Sequence, residues 1–241
     1  MATQAVSKIS NSKLKGSSSQ ALKNDTNDTE VFREVTFKNG CSYSGYWLGK
    51  QRHGEGTLKW PNSSSYTGKF NQDQRHGNGT MLYADKSRYV GSWEHDKRNG
   101  QGKFVWPNGN EYNGSFKNDK MEGNGRVEWK SGAKYEGNMV ANHKQGKGTM
   151  HYADGSEYKG DWKADKRHGA GTLTWPDGSN YNGTWDRDEK TGYGAYSWSN
   201  GDCYAGDWKN SKRTGFGILT YANNDRYEGG FNANLRHGQG K

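Results

Sequence analysis

A repeat of constant length constrains this sequence more than any other feature. The stretch over residues 43–65 reads YSGYWLGKQRHGEGTLKWPNSSS, and the same design begins nine times, every 23 residues, without an insertion. Units 2 to 9 begin at Tyr66, Tyr89, Tyr112, Tyr135, Tyr158, Tyr181, Tyr204 and Tyr227. Because self-similarity at a fixed period is the mark of repeat architectures, the sequence predicts a solenoid of small, similar units.

Each unit contains two short segments in which aromatic residues, leucine or glycine alternate with polar residues. The residues of shared parity in unit 1 are Tyr43, Gly45 and Trp47 in the first segment and Gly54, Gly56, Leu58 and Trp60 in the second. A period of two with aromatic residues indicates β-strands. Each unit is therefore predicted to be a β-hairpin with one apolar and one solvated face, as in an antiparallel sheet that no second layer covers.

Three positions of the unit are always glycine, and two others are almost always aromatic. The third, twelfth and fourteenth positions hold 27 of the 36 glycines in the chain. Glycine weakens a strand, because it has no side chain to pack and loses much backbone freedom on folding. We expect aromatic rings on the same face to lie over this bare backbone and to replace the missing packing.

The predicted fold is all-β: an elongated, single-layer antiparallel β-sheet solenoid of 23-residue β-hairpin repeats. At two strands per unit and about 4.8 Å per strand, it would form a twisted rod roughly 80 Å long. Residues 1–30 are polar and are predicted to be a disordered tail. Residues 31–42 match the second half of a unit and are predicted to cap the first hairpin, whereas residues 43–241 hold nine repeats, the last of them truncated. The stop at Lys241 leaves open whether the sequence is a fragment or another chain covers this end.

The pattern Y-x-G-x-W, followed by H-G-x-G and D/N-G, resembles the MORN (membrane occupation and recognition nexus) repeat. H-G-x-G is present in full at residues 53–56, 76–79, 168–171 and 237–240. The other five units replace the histidine with Asn99, Glu122, Gln145, Thr191 or Thr214. The resemblance implies a structural protein of cytoskeletal or ciliary assemblies, such as radial-spoke heads of axonemes, or of junctions between membrane and cytoskeleton.

The sequence does not predict an enzyme, a cofactor or a metal site. Constant spacing leaves no long loop from which to build a catalytic pocket. Equivalent histidines should lie about 10 Å apart, twice the strand spacing, whereas zinc holds its ligands at about 2 Å. The G-x-G elements run into strands and not into the helix N-terminus that a phosphate-binding loop requires.

Two surfaces are candidate binding sites for partners. The first, the aromatic trough, is the apolar face of the sheet, which a helix or an extended segment of another protein could occupy. Its predicted contact residues are Trp47, Trp93, Trp162, Trp185 and Trp208 at the fifth position and Trp60, Trp106 and Trp175 at the second aromatic position. End-to-end contacts or self-association are further expectations for a protein with open sheet edges.

The second surface, the basic ridge, is a column of cations at the tenth position of the unit. It consists of Arg52, Arg75, Arg98, Lys144, Arg167, Lys190, Arg213 and Arg236, with Met121 in unit 4. The formal net charge of +9 suits an acidic protein surface, an anionic membrane or nucleic acid. Nucleic acid is disfavoured because the sequence contains no recognition motif for it. The alternative is a solvated, charged turn without a partner, since aspartates stand two residues before many of these cations.

The main functional hypothesis is a non-enzymatic scaffold that binds other proteins. The alternative is a peripheral membrane module that binds anionic phospholipids through the basic ridge. Cys41 and Cys203 lie about seven units apart, so they are expected to be free thiols, as in a reducing compartment. With neither a transmembrane segment nor a signal peptide predicted, the expected location is cytoplasmic, at the cytoskeleton, cilium or axoneme, or peripherally at a membrane.

Overall fold

The computed structural model describes residues 29–241, and all regular structure in this range is β-strand. The disordered tail predicted for residues 1–30 lies, except for its last two residues, outside the described residues. The strands are β1 (Glu30–Thr36), β2 (Ser42–Leu48), β3 (Gln51–Lys59), β4 (Ser65–Asn71), β5 (Gln74–Leu82), β6 (Arg88–Glu94), β7 (Lys97–Val105), β8 (Glu111–Lys117), β9 (Lys120–Glu128), β10 (Lys134–Val140), β11 (His143–His151), β12 (Glu157–Lys163), β13 (Lys166–Thr174), β14 (Asn180–Asp186), β15 (Glu189–Ser197), β16 (Cys203–Lys209), β17 (Lys212–Thr220), β18 (Arg226–Asn232) and β19 (Leu235–Gly240).

The strands form one open antiparallel sheet in which each strand pairs with its neighbours in sequence. β1 pairs with β2, β2 with β3, and the meander continues without a crossover to β18 and β19. This arrangement confirms the prediction of an all-β sheet of hairpins. Within residues 29–241 there is accordingly no apolar helix of the length needed to span a bilayer.

Tight two-residue turns join the two strands of a hairpin. Gln72 and Asp73, between β4 and β5, both have positive φ, at 49° and 67°. This is the backbone of a type I′ turn, whose twist matches that of the flanking strands. In the turns between units, the side chain of Asn62 accepts a hydrogen bond from the backbone N–H of Ser64. Short polar turns at both sheet margins therefore keep the register of all nine units.

Each hairpin contains a β-bulge, which the first tyrosine of the unit stabilises. In unit 1 the register of β2 and β3 shifts between Gly45 and Trp47. The bulge removes the intervening Tyr46 from the ladder, and the Tyr43 hydroxyl donates a 3.0 Å hydrogen bond to the Tyr46 carbonyl. The same bond, from the tyrosine to the carbonyl three residues later, recurs in every unit through Tyr227.

The ring of this tyrosine lies on the backbone of two glycines that face each other across the hairpin. In unit 5 these are Gly137 and Gly148, which are direct partners in the β10–β11 ladder. A Cβ atom placed on Gly148 would lie 2.5 to 2.7 Å from the Tyr135 ring and hydroxyl, closer than any real side chain approaches. The close approach of the ring therefore requires glycine at the third and fourteenth positions, as the sequence pattern predicted. The twelfth-position glycines, such as Gly146 with φ of 69°, do not lie under the ring and are required by a left-handed backbone instead. Tyrosine supplies this ring in every unit.

In units 2 to 9, apart from unit 5 with its Met139, the fifth-position ring packs between two consecutive tyrosines. Phe70 makes edge-to-face contacts with Tyr43 and Tyr66, with ring centroids 5.2 and 5.1 Å apart. Such pairs contribute about 0.5 to 1.5 kcal/mol each beyond the area that they bury. The chain of edge-to-face contacts carries the core from one unit to the next, and the tyrosines of units 1 to 8 are almost completely buried.

We predict that Gly148→Ala destabilises the protein by about 3 kcal/mol, because its methyl group would overlap the fixed ring of Tyr135. Gly132→Ala is the matched control: φ there is 89° and nothing lies within 4 Å of the added Cβ. That variant should lose only about 1 to 2 kcal/mol, from the left-handed backbone alone. Denaturant unfolding of both variants measures the difference. Adding Tyr135→Ala to Gly148→Ala should cost less than the sum of the two single changes, and strict additivity would argue against a steric origin.

We also predict that stability falls steeply in alkali. Burial raises the pKa of Tyr43, Tyr112, Tyr181 and Tyr204 from 10.0 to about 12 and also raises that of Tyr66, Tyr89, Tyr135 and Tyr158. The folded state therefore retains protons that the unfolded chain releases, so the free energy of unfolding decreases as pH rises above about 10. Denaturant titrations on both sides of this pH measure the slope. Tyr181→Phe should reduce it by about one proton, and an unchanged slope would contradict the assignment.

Candidate interaction face

The structure divides the predicted residues of the aromatic trough into two depths. The five fifth-position tryptophans are buried, with 2 to 8% of their surface exposed, because they pack between the tyrosines. Trp60, Trp106 and Trp175 are half-buried and lie against this core from outside. These three therefore present ring surface to a partner, whereas the buried five support the sheet. Binding of a partner by any of the eight stays a prediction.

The cations of the basic ridge fold back over the aromatic face. The guanidinium carbon of Arg52 lies 5.2 Å from the ring centroid of Phe70, and Arg75 lies 4.3 Å from that of Trp93. In units 5 and 6 the cations stand over Trp162 and Trp185, at 4.2 and 4.3 Å. A cation over an aromatic ring is attracted by its negative face. The ridge and the trough therefore form one surface, which we call the interaction face.

In four units an aspartate of the following unit neutralises the arginine. Arg52 donates through Nε to Asp73 Oδ1 at 3.0 Å and through Nη2 to the Asp73 carbonyl at 2.8 Å. The other three pairs are Arg75–Asp96, Arg98–Asp119 and Arg167–Asp188. These arginine side chains are only 18 to 21% exposed. This pairing was not predicted from the sequence, although the constant 21-residue spacing from each arginine to its aspartate indicates it.

The remaining units change the cation, its partner or both. In unit 4 Met121 replaces the cation, and Asn142 stands at the aspartate position. In unit 5 the Asp165 carboxylate accepts a hydrogen bond from the backbone N–H of Lys144. In units 7 and 8 the aspartate is replaced by Ser211 and Asn234, which accept hydrogen bonds from the backbone N–H of the cationic residues. An aspartate thus accompanies each cation of units 1 to 6, whereas none accompanies those of units 7 and 8.

A cavity interrupts the interaction face at unit 4. Met121 and Met139 stand where other units have a cation and a large ring, and they leave a cavity of about 360 Å³ between Trp106 and Trp129. Methionine is flexible and polarisable, so it adapts to irregular apolar ligands. The cavity is of a size that can receive one or two apolar side chains of a partner.

The opposite face of the sheet is mostly polar, but it exposes several apolar side chains, of which two large rings lie close to its end. Tyr193 and Phe216 occupy the same position in units 7 and 8 and are 67% and 56% exposed. The histidines of the H-G-x-G motif also lie outside the interaction face, where His168 is 3.3 Å from Asp186. In residues 29–241 no group of side chains is arranged to hold a metal ion. Cys41 and Cys203 are both free thiols.

Comparison with known proteins agrees with the repeat. The model of the MORN repeat matches nine consecutive segments, residues 43–65, 66–88, 89–111, 112–134, 135–157, 158–180, 181–203, 204–226 and 227–241. A comparison with curated protein sequences gives no match.

Two of the solved structures similar to this chain come from animals. The TCP10 domain of Danio rerio CPAP is 13% identical, with a TM-score of 0.46, over 81% of this chain and 92% of that chain. The TCP domain of Drosophila melanogaster SAS-4, in complex with a proline-rich motif of Ana2, is 16% identical, with a TM-score of 0.37, over 89% and 94%. Likeness at this level carries no argument about what this chain does.

We predict that Arg75 and Asp96 stabilise each other by about 1 kcal/mol, since Arg75 binds both the carboxylate and the backbone carbonyl of Asp96 but the aspartate is half exposed. A double-mutant cycle of Arg75→Met and Asp96→Asn measures this coupling, and the double variant recreates the pairing found naturally at Met121 and Asn142. The double variant should therefore unfold at a higher denaturant concentration than additivity predicts. Coupling within experimental error of zero would show that the pair does not link the two units.

Proposed function

The chain belongs to the MORN repeat family, and we propose that it is a non-enzymatic scaffold that binds other proteins along its interaction face. The observation that carries this proposal is a continuous, half-exposed row of rings on one face of a single-layer sheet. The row consists of Trp60, Tyr83, Trp106, Trp129, Tyr152, Trp175, Trp198 and Tyr221, all packed against the buried core from outside. A contiguous apolar patch of this kind marks an interaction site.

The rigidity of the sheet supports a scaffold role. Every unit is tied to the next by an antiparallel ladder, by a fifth-position side chain between tyrosines, which is a ring except at Met139, and, in four places, by an arginine–aspartate pair. A partner that lies along this face therefore meets contact groups at fixed intervals, and little conformational entropy is lost in ordering these groups on binding. Aromatic and arginine side chains are also the residue types that dominate binding energy at protein interfaces.

We place this scaffold in the cytoplasm, in a cytoskeletal or ciliary assembly of the radial-spoke type. The support is the implied role of long runs of MORN repeats, together with a fold suited to spanning a distance. The half unit formed by β1 is proposed to cap the sheet, since β1 pairs with β2 and leaves only its other edge open.

Binding of anionic phospholipids is the second candidate. It would use the cations of the basic ridge, but four of these are neutralised by aspartates and lie against rings. The geometry therefore favours a protein partner over a membrane.

We predict that a triple variant, Trp60→Ala, Trp106→Ala and Trp175→Ala, recovers at least about tenfold less of its native partners. Truncation of a tryptophan that anchors an interface removes about 2 kcal/mol or more of binding free energy. Tagged full-length chains would be recovered from the cells that express the protein, and their partners quantified by mass spectrometry. The matched control is Tyr193→Ser with Phe216→Ser, which alters the opposite face and should retain the partners.

Circular dichroism would first establish that both variants keep their β-sheet. If the control variant loses the partners and the tryptophan variant keeps them, binding occurs on the opposite face and the proposal is wrong. Loss from neither variant would also reject the interaction face as the binding surface.

A further inference from the structure

Units 7 and 8 are the places where the repeat keeps its cation but omits the carboxylate that would neutralise it. Within the described residues, no carboxylate oxygen lies within ion-pair distance of Lys190 or Arg213, in contrast to Arg75 or Arg167. Ser211 and Asn234 retain the turn geometry of the aspartates, with φ of 60° and 73°, and still accept the backbone hydrogen bond. Ser211 and Asn234 thus keep the turn and the hydrogen bond that aspartate makes in other units, but they lack its negative charge.

Lys190 is held in a cage of four aromatic rings. Its Nζ atom lies 4.5 Å from the ring centroid of Tyr196 and 5.0 Å from those of Trp175, Tyr181 and Trp208. Burial and, to a smaller extent, the charge of nearby Arg167 together lower the pKa of this amine to about 8. An ammonium group in this position gains when a carboxylate approaches it, because a charge-assisted hydrogen bond is strong in such surroundings.

Arg213 presents a second charge next to this cage. Its guanidinium lies 5.4 Å from the ring centroid of Trp198 and donates through Nη2 to the Asn234 carbonyl. In Arg75 the Nε atom binds the carboxylate of Asp96, whereas the equivalent residue for Arg213 is the uncharged Asn234, whose side chain accepts a hydrogen bond from the Arg213 backbone N–H. Trp175 and Trp198, one unit apart, provide half-exposed rings on the same surface.

The spacing of these groups matches one peptide conformation. Equivalent positions in consecutive units are separated by two strands, about 9.6 Å along the sheet. A polyproline II helix has three residues per turn and rises about 3.1 Å per residue, so its same-face side chains recur every 9.3 Å or so. Aromatic-lined grooves are a known setting for this conformation. A segment that runs across the strands would therefore place every third side chain on the next unit.

We infer that units 6 to 8 bind an acidic, extended segment of a partner protein in the polyproline II conformation. Its carboxylates, three residues apart, pair with Lys190 and Arg213, and its intervening apolar residues lie on Trp175 and Trp198. This inference rests on the proposed scaffold function and specifies the chemistry of one partner. A protein segment is favoured over a lipid headgroup because Lys190 is recessed among rings, where a single side chain can enter and a planar surface cannot.

The test uses the full chain and a labelled synthetic peptide of repeated Pro-Pro-Glu triplets, with binding measured by fluorescence anisotropy. The control peptide, of repeated Pro-Pro-Gln triplets, keeps the conformation and removes the charge. The acidic peptide should bind at least about tenfold more tightly than the control, which corresponds to one ion pair worth about 1.4 kcal/mol. Equal binding of the two peptides, or binding of neither, would overturn the inference.

The decisive variant is Ser211→Asp, which restores the residue that other units carry at this position. It should weaken binding of the acidic peptide about tenfold by placing an internal carboxylate beside Lys190. Asn142→Asp is the matched control: it adds the same charge at the same position of the unit, next to Met121, and should leave binding unchanged. Because aspartate is native to this turn in five units, both variants are expected to fold.

Equal weakening by both variants would mean that the peptide senses only net charge, and the inference would be wrong. Vesicles of phosphatidylserine and phosphatidylcholine form a further arm. If Ser211→Asp abolishes sedimentation with them while the peptide never binds, the two cations face a lipid surface instead. Failure of this inference can be distinguished from failure of the proposed function. If the peptide does not bind but native partners are still lost only in the tryptophan variant, the scaffold proposal stands and this inference is wrong.

Discussion

A tyrosine ring pressed against the bare backbone of two facing glycines sets the geometry of every unit in this protein. The ring leaves no room for a Cβ atom at either glycine, and its hydroxyl takes up the carbonyl that the β-bulge removes from the ladder. Packing, backbone conformation and hydrogen bonding thus depend on one side chain. Because neither phenylalanine nor a larger residue in place of glycine meets all three requirements, the same three residues recur in each hairpin.

The second level of organisation links neighbouring units. Fifth-position rings lie between consecutive tyrosines, and arginines reach aspartates 21 residues further along the chain. Each unit therefore contacts only its neighbours, as in other solenoids, and stability is roughly a sum of local terms. In such a system a single unit can lose a ring or an ion pair without disturbing distant ones. Unit 4, with Met121 and Met139, and units 7 and 8, with Ser211 and Asn234, are the places where this freedom is used.

The fold could be predicted from the sequence because its determinants are periodic. Alternation in Tyr43, Gly45 and Trp47 indicated strand and face, and constant spacing indicated neighbours. The depth of each aromatic position could not be predicted, since Trp47 and Trp60 look alike in a pattern but differ in burial once the tyrosines are in place. The partner of Arg52 was missed for a related reason. The sequence pattern places an aspartate two residues before many of the cations, whereas the aspartate that binds Arg52 lies in the following unit.

The bulge in each hairpin has a geometric consequence for the whole molecule. A β-bulge bends its strand and increases the local right-handed twist, and here it recurs once per unit at the same position. Rotation therefore accumulates in equal steps, so that the number of units fixes the angle between two ligands as well as the distance between them. Gain or loss of one unit during evolution would re-aim whatever is attached at one end relative to the other. The number of repeats in such a chain therefore determines the relative orientation of its two ends in discrete steps.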